Sequence, residues 1–360
     1  MINYEECLNV EPYSMDKNEK KDFLTKNLKE LTIYHFNNCP EYRKIMNSID
    51  ADPQNIESYY DIPYIPVRLF KEYILKSIKD EDIQKVMTSS GTSGQTVSQI
   101  YLDKKTVVNQ TKILTKIVSS YIGKNRLPMI ILDTSSVLKN RKKFSARGAG
   151  ILGFSIFGRD KFYAFDENMQ LDIEGMKAFL NKHRGERIFL FGFTFIIWEY
   201  FYKELKKMQY FPDLSLGILI HGGGWKQLES QAVSAKEFKD NLREICKIES
   251  VYNYYGMAEQ TGTIYMECEC GYLHTSVFSD VIIRKMQDFS IADYGEEGLV
   301  EVVSILPASY PGHILLTEDR GIIVGEDNCL CGRKGKYFKI LGRIKNAELR
   351  GCSDTYAAKF

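Results

Sequence analysis

"IFLFGFTFIIWEYFYKELKKMQYFPDLSLGILIHGGG", residues 188–224, decides the fold. Its first eleven residues, Ile188 to Trp198, form the most apolar window of the chain. A membrane-spanning helix needs about twenty such residues, so this window reads as a core strand running into a helix. A second apolar run, LGILIHGGG at 216–224, reads as another buried strand that ends in glycines. Helical spacing flanks both runs, at Ile173–Lys182 and Val233–Ile245, and a further buried strand, MIILD, lies at Met129–Asp133. Strand and helix in alternation predict an α/β fold with helices on the sheet faces.

Further out, the pattern from Asp16 to about Met46 is helical, with Pro40 expected to break it. Tyr59–Lys71 is extended at its two prolines. Gln84–Met87 and Val97–Tyr101 read as two strands around a Ser/Thr/Gly loop, and Lys104–Tyr121 as the helix that follows. After about residue 260 the character changes to short strands and glycine-rich turns: VFSDVIIRKM, GLVEVVSIL and GHILLTEDRGIIV. The expected organisation is therefore an α/β region over 1–260, a β-rich subdomain over 261–340 and a tail over 341–360.

Bulk properties narrow the function. With 360 residues and a formal net charge of +1, the chain gives no reason to expect nucleic acid or an anionic membrane as a partner. The acidic, polar N-terminus does not read as a secretory signal, which points to the cytoplasm. Eight cysteines in a long chain of this kind suggest reduced thiols, metal ligands or a nucleophile rather than bridges.

Between the two strands, TSSGTSG offers hydroxyl donors from Thr88, Ser89, Ser90, Thr92 and Ser93, and backbone freed by Gly91 and Gly94. A concave run of N–H and O–H donors suits an oligophosphate. Composition alone also fits a flexible surface turn, but the position between strands makes it a hairpin loop rather than a tether. It is not a P-loop, since Gln95 stands where a lysine would be needed. Gly148, Gly150 and Gly153 fit GxGxxG literally, but no strand runs into them, so a dinucleotide site is not expected.

Three downstream segments shift the balance: NYYGMAEQTG at 253–262, PGHILLTEDRG at 311–321 and ILGRIKNAELRGCSD at 340–354. In this order they resemble the adenylate-forming enzymes, which join a carboxylate to AMP. HGGGWK at 221–226 and SYPGHILLTED at 309–319 make the resemblance closest to the acyl-protein synthetases of bacterial fatty-acid reductase complexes, the LuxE family. The resemblance runs from about residue 60 to the C-terminus. It implies a large domain of helix-flanked sheets, a smaller β-rich subdomain and a truncated C-terminal mobile domain.

It also implies roles. Thr88, Ser89, Ser90, Gly91, Thr92, Ser93 and Gly94 would hold the ATP phosphates. Gly222 and Gly223 would line the adenine, and Tyr255 and Gly256 the other face of the nucleotide. Glu259 would hold magnesium, Asp319 the ribose hydroxyls, and Arg343 would stand near the junction with the mobile part. The chemistry is coherent, because adenylation is an in-line attack on the α-phosphorus governed by positioning and charge neutralisation. Magnesium asks for hard oxygen ligands, and one glutamate with phosphate oxygens and water suffices. Two departures stand out: Gln95 replaces the usual basic residue, whose charge Lys104 or Lys226 would have to supply, and Ala258 stands where threonine is usual. Ending at Phe360, the chain is expected to lack the domain of roughly a hundred residues that carries a catalytic lysine in general members, a truncation the acyl-protein synthetases share.

Cys352, in ELRGCSD, is eight positions before Phe360, and the resemblance makes it the acyl acceptor. Thiolate attack on the acyl-adenylate would give a thioester and AMP, with Arg343, Lys345 and Arg350 favouring the thiolate. Two CxC pairs, Cys268 with Cys270 and Cys329 with Cys331, each stand beside a glycine and suggest a structural zinc, with His274 as the substitute for Cys268 or Cys270.

The reading is an ATP- and magnesium-dependent activation of a fatty or other carboxylic acid. The acyl group would then pass to Cys352 and on to a partner reductase or acyl carrier protein. A phenylacetate-type coenzyme A ligase and a weakly active nucleotide-binding scaffold are the alternatives. Phe193, Phe195, Ile196, Trp198 and Tyr200 could line an acyl tunnel or simply fill the core.

Overall fold

The computed structural model describes residues 2–89, 97–138, 146–225 and 232–344. Two compact units emerge. One takes its described residues from 2–89, 97–120 and 256–344, and the other from 121–138, 146–225 and 232–255. The chain therefore does not follow the sequential division expected at 260, because its first ninety residues are built into the C-terminal unit.

The middle unit is a parallel sheet with strand order Ser250–Tyr255, Gly217–Gly222, Ile188–Phe193, Leu127–Thr134 and Gly158–Phe165. Every described pairing in it is parallel. The strands of 188–193 and 217–222 are buried at every position, which explains their unbroken apolar runs. Ile173–Lys182 and Ala235–Cys246 are crossover helices, as the spacing predicts. Strand order reverses between Leu127–Thr134 and Ile188–Phe193, where α/β sheets characteristically open a ligand crevice at the carboxyl ends. There, Arg147 closes a bidentate ion pair on the fully buried Asp133. Gly148, Gly150 and Gly153 lie inside the helix Ala146–Ser155, not in a strand-to-helix turn.

The other unit is antiparallel, in the order Ser279–Arg284, Gly298–Ser304, Ile314–Glu326, Lys336–Arg343, Leu273–His274 and Tyr265–Glu267. Ile65–Pro66 adds to it in parallel, with Ile65 opposite Leu315. Ile83–Thr88 and Gln99–Asp103 form the expected hairpin.

The helix Lys17–Asn38 starts at a capping box, in which Asp16 accepts from the Asn18 and Glu19 amides while Glu19 reaches back to the Asp16 amide. It buries Leu24, Leu28, Leu31, Thr32 and His35, one stripe at helical spacing. Pro40 does not merely end this helix; it opens the next, Pro40–Ser48, at the first-turn position where a missing N–H costs nothing.

Lys20 ties that helix to the sheet. Its ammonium lies 3.2 Å from Asp280 and donates to Thr275 at 2.6 Å. Lys336, from the other end of the unit, donates to the second Asp280 oxygen at 2.6 Å, and Tyr59 donates to the same oxygen at 2.5 Å. Burial alone would raise the Asp280 carboxyl, but Lys336 and Lys20 outweigh it and bring it down to about 2. A few residues along, His35 and His313 pack with ring centres 5.0 Å apart, both fully enclosed. His35 is held between Ser77 Oγ at 2.8 Å and the Pro307 carbonyl at 3.0 Å. No helix among the described residues is long and apolar enough to cross a membrane.

Two outcomes follow from this packing. Asp280→Asn leaves two buried ammoniums without a carboxylate and is expected to lower stability by about 3–5 kcal/mol, read from a denaturant midpoint. Burial pushes His35 down to about 3 and His313 well below its ordinary value, so only the unfolded chain takes up their protons below about pH 6.5. Thermal midpoints should therefore be flat above pH 7 and fall toward pH 5, each histidine costing up to about 1.4 kcal/mol per pH unit. A midpoint rising toward pH 5 would contradict this.

Candidate functional site

Glu259 sits on a single 3₁₀ turn, Ala258–Gln260, directly after the strand Ser250–Tyr255. It is only 7% exposed. Burial raises its carboxyl above the usual range, offset in part by the Ser98 hydroxyl and the Arg343 guanidinium, while Glu318 pushes it further up. A buried carboxylate with so little direct compensation favours a cation or donor beside it.

Its neighbours hold the turn in place. Gln260 Nε2 donates to the carbonyls of Val302 at 3.1 Å and Gly312 at 2.9 Å. The Thr261 hydroxyl closes onto the Ala258 carbonyl at 2.7 Å. Gly262 is left-handed at φ +87°, and a Cβ there would come within 2.7 Å of Gln110. A Cβ on Gly312 would press on the Glu259 carbonyl at 2.8 Å. The sequence segments AEQTG and SYPGH are thus two sides of one clamp. Gln260 and Ser98 were not singled out from the sequence; the Gln-Thr-Gly run after Glu259 was the available signal.

Asp319 and Arg343 are cross-strand partners on Ile314–Glu326 and Lys336–Arg343, and Arg343 Nε donates to Asp319 Oδ1 at 3.1 Å. Arg343 is exposed, whereas Asp319 is half-buried. Thr88 and Ser89, also half-buried, end the hairpin strand, where the Ser98 amide donates to Ser89 Oγ at 3.0 Å and the Ser89 amide to the Ser98 carbonyl at 3.2 Å. Glu259, the Asp319–Arg343 pair and the base of the Ser/Thr/Gly loop thus belong to one unit, and Ser98 and Arg343 are among the groups that act on the Glu259 carboxyl. Ser90, Gly91, Thr92, Ser93, Gly94 and Cys352 lie outside the described residues.

In the parallel-sheet unit, Gly222 ends its strand between Phe193 and Tyr254. A Cβ on Gly222 would overlap the Tyr254 ring, and Gly223 is left-handed at φ +75°. Both glycines are therefore steric requirements. Thr194 bridges the two strand ends, its hydroxyl 2.8 Å from His221 Nδ1 and 3.3 Å from the Gly222 carbonyl. His221 packs 4.8 Å from the Phe238 ring, and burial lowers it to about 3, so it is neutral at physiological pH. Trp198 stands edge-on to Trp225 beside it. The tunnel candidates Phe193, Phe195, Ile196 and Trp198 are all buried core. Tyr255 is half-buried on the neighbouring strand, and Gly256, the first residue of the other unit, is exposed.

A separate cluster brings Cys268, His274, Cys329 and Cys331 together, with their ligand atoms all within 4.8 Å of one another. Cys270, expected as a ligand, is exposed and outside this quartet, and His274 stands in its place. Cys270 is exposed, though its thiol still lies beside those of Cys268 and Cys329, whereas the strand Leu273–His274 returns His274 to the interior, fully buried.

A family model described as "Acyl-protein synthetase, LuxE" matches residues 3–360. A long-chain-fatty-acid–luciferin-component ligase of Vibrio harveyi is 24% identical over 97% of this chain and 91% of its own length. The protein of the same name from Aliivibrio fischeri is 23% identical over 96% of this chain and 90% of its own. In fold, an open conformation of a 2-hydroxyisobutyryl-CoA ligase in complex with 2-HIB-AMP and CoA superimposes with a TM-score of 0.72 at 14% identity, over 93% of this chain and 72% of that one.

Gln260→Leu removes the donors that hold the Glu259 turn and leaves the Val302 and Gly312 carbonyls bare. A loss of roughly 1–3 kcal/mol in a urea midpoint is the expected outcome. An unchanged midpoint would mean that the clamp carries no energy.

Proposed function

The chain belongs to the acyl-protein synthetase (LuxE) family, and on that premise we propose that it activates a long-chain fatty acid in the cytoplasm and hands it on through its own Cys352. The acid's carboxylate attacks the α-phosphorus of ATP, forming the acyl-phosphate bond of acyl-AMP and breaking the bond to pyrophosphate, which leaves. The Cys352 thiolate then attacks the acyl carbonyl, forming a thioester and expelling AMP. A partner reductase or acyl carrier protein receives the acyl group.

What supports this reading is that Glu259, buried and with its carboxyl raised, belongs to the same unit as the Asp319–Arg343 pair and the base of the Ser/Thr/Gly loop. Glu259 would give magnesium a hard oxygen ligand that burial leaves short of positive charge. Asp319 would accept from the ribose hydroxyls, with Arg343 holding one of its oxygens in place. Residues 88–94 would donate to the phosphates. Gly222, Gly223, Tyr255 and Gly256 would accommodate the base, Gly222 because no side chain fits beside Tyr254 and Gly223 because its backbone is left-handed. Catalysis of this kind is positioning and charge neutralisation, and it asks no residue to become covalently attached before Cys352 does. The relatives' names support a long-chain acid as substrate.

The test is acid-dependent exchange of labelled pyrophosphate into ATP across a series of chain lengths. Exchange peaking with long-chain acids is expected, and Asp319→Asn should reduce it by roughly 10- to 100-fold. Labelled acid should also mark the protein in a hydroxylamine-sensitive form that Cys352→Ser abolishes while exchange persists. No exchange with any acid would leave only the scaffold. Exchange without protein labelling, with the acyl group appearing on added coenzyme A, would favour the coenzyme A ligase.

A further inference from the structure

The two CxC pairs are halves of one repeated device. Both read C-x-C-G: Cys268-Glu269-Cys270-Gly271 and Cys329-Leu330-Cys331-Gly332. In each, the glycine amide donates to the carbonyl of the first cysteine, Gly271 to Cys268 at 2.9 Å and Gly332 to Cys329 at 3.0 Å. In each, that glycine is left-handed, at φ +79° and +80°. A tight turn of this shape turns its first cysteine's sulfur and backbone amides toward one point, as metal-binding knuckles do. Arg333 fastens the turns to each other through Glu269, at 2.5 and 3.2 Å. In the second turn, Leu330 is 97% exposed between its two cysteines, an apolar side chain turned out because both neighbours turn in.

Two of the separations match the edges of one tetrahedral ion, and all four ligand atoms lie within 4.8 Å of one another. A tetrahedral centre with Zn–S near 2.3 Å and Zn–N near 2.0–2.1 Å sets sulfur–sulfur edges of about 3.8 Å and sulfur–nitrogen edges of about 3.5 Å. Cys268 Sγ lies 3.9 Å from Cys329 Sγ, and Cys331 Sγ lies 3.4 Å from His274 Nε2. His274 Nδ1, the other ring nitrogen, is buried without a hydrogen-bond partner. A fully enclosed imidazole that offers one nitrogen to a thiol and the other to nothing gains little from burial unless a metal takes one of them. The ring is also oriented from both sides, stacked on Tyr337 at 5.6 Å and met edge-on by Tyr13 at 6.2 Å.

We propose that Cys268, His274, Cys329 and Cys331 bind one zinc ion as a tetrahedral structural site, with Cys270 outside it. Soft thiolates with one imidazole select zinc over magnesium or calcium, and four protein ligands leave no position for substrate. The ion joins the turn between Tyr265–Glu267 and Leu273–His274 to the turn between Ile314–Glu326 and Lys336–Arg343. It thereby fastens the strand that ends at Arg343 to the strands following Glu259.

The experiment uses the full chain purified without chelator, with zinc counted by mass spectrometry. About one zinc per chain is expected, retained in Cys270→Ser and lost or much weakened in His274→Ala. Removing zinc with a chelator should lower the melting temperature by several degrees, and returning zinc should restore it. If His274→Ala fails to fold, the cobalt(II)-substituted wild type decides instead: tetrahedral bands with a three-thiolate charge-transfer intensity, unchanged in Cys270→Ser, support the set. A folded chain without stoichiometric metal, whose melting ignores added zinc, overturns the site. Metal lost in Cys270→Ser but kept in His274→Ala, or a four-thiolate cobalt spectrum, overturns the ligand set.

Discussion

Asp280 is the point on which the C-terminal unit hangs. One carboxylate, fully buried, accepts from Lys20 near the start of the chain, from Tyr59, and from Lys336 near the end. A single charge cannot fully neutralise two ammoniums, and the surplus is spread over the Thr275 and Tyr60 hydroxyls and the Val281 carbonyl. Replacing such a network with apolar groups is often neutral for stability, so its use here is to fix register. With Lys20 and Lys336 fixed on one acceptor, the long helix and the last strand can meet the sheet in only one way. Lys336 opens the strand whose far end carries Arg343, so this same contact sets where Arg343 meets Asp319.

The Glu259 turn is built on the opposite principle, with almost no charge compensation. Its geometry comes from neutral donors and from glycines that leave no room for a side chain. Gln260 takes up two backbone carbonyls, while Gly262 and Gly312 let Gln110 and the Glu259 backbone close in. The carboxylate is held rigidly and left electrostatically short. A carboxyl fixed in this way loses little further freedom when a partner binds to it.

Much of this was legible in the sequence, and the reasons are local. IFLFGF and LGILIHGGG announced buried parallel strands because both faces of such strands are covered, and Ile173–Lys182 announced its helix through spacing alone. The hairpin around the Ser/Thr/Gly loop followed from alternation on either side of a glycine-rich run. Three features were hidden because they depend on contacts distant in sequence. Nothing in residues 16–46 says that their partner is Asp280 or Pro307. Pro40 reads as a stop because its missing N–H is visible, while its use as a start depends on the chain turning at Cys39. The approach of His274 to the cysteines depends on which way a two-residue strand faces, which two matching C-x-C-G turns do not reveal. The indole–indole contact of Trp198 with Trp225 and the π-helical turn Ile197–Tyr202 likewise have no local signature.

The return of the first ninety residues to the C-terminal sheet also sets a timetable for biosynthesis. Lys20 and Asp280 are separated by 260 positions, which at roughly 5–20 residues per second is on the order of ten to fifty seconds of translation. Throughout that interval the strands of the parallel sheet leave the ribosome in sequence order and can pair with one another. The helix that precedes them can settle early against Pro40–Ser48 and the turn Tyr59–Asp61, which follow it directly. Its ties to Asp280, Pro307 and His313 must wait until the second half of the chain has been made, so the long-range half of its environment is the last to arrive.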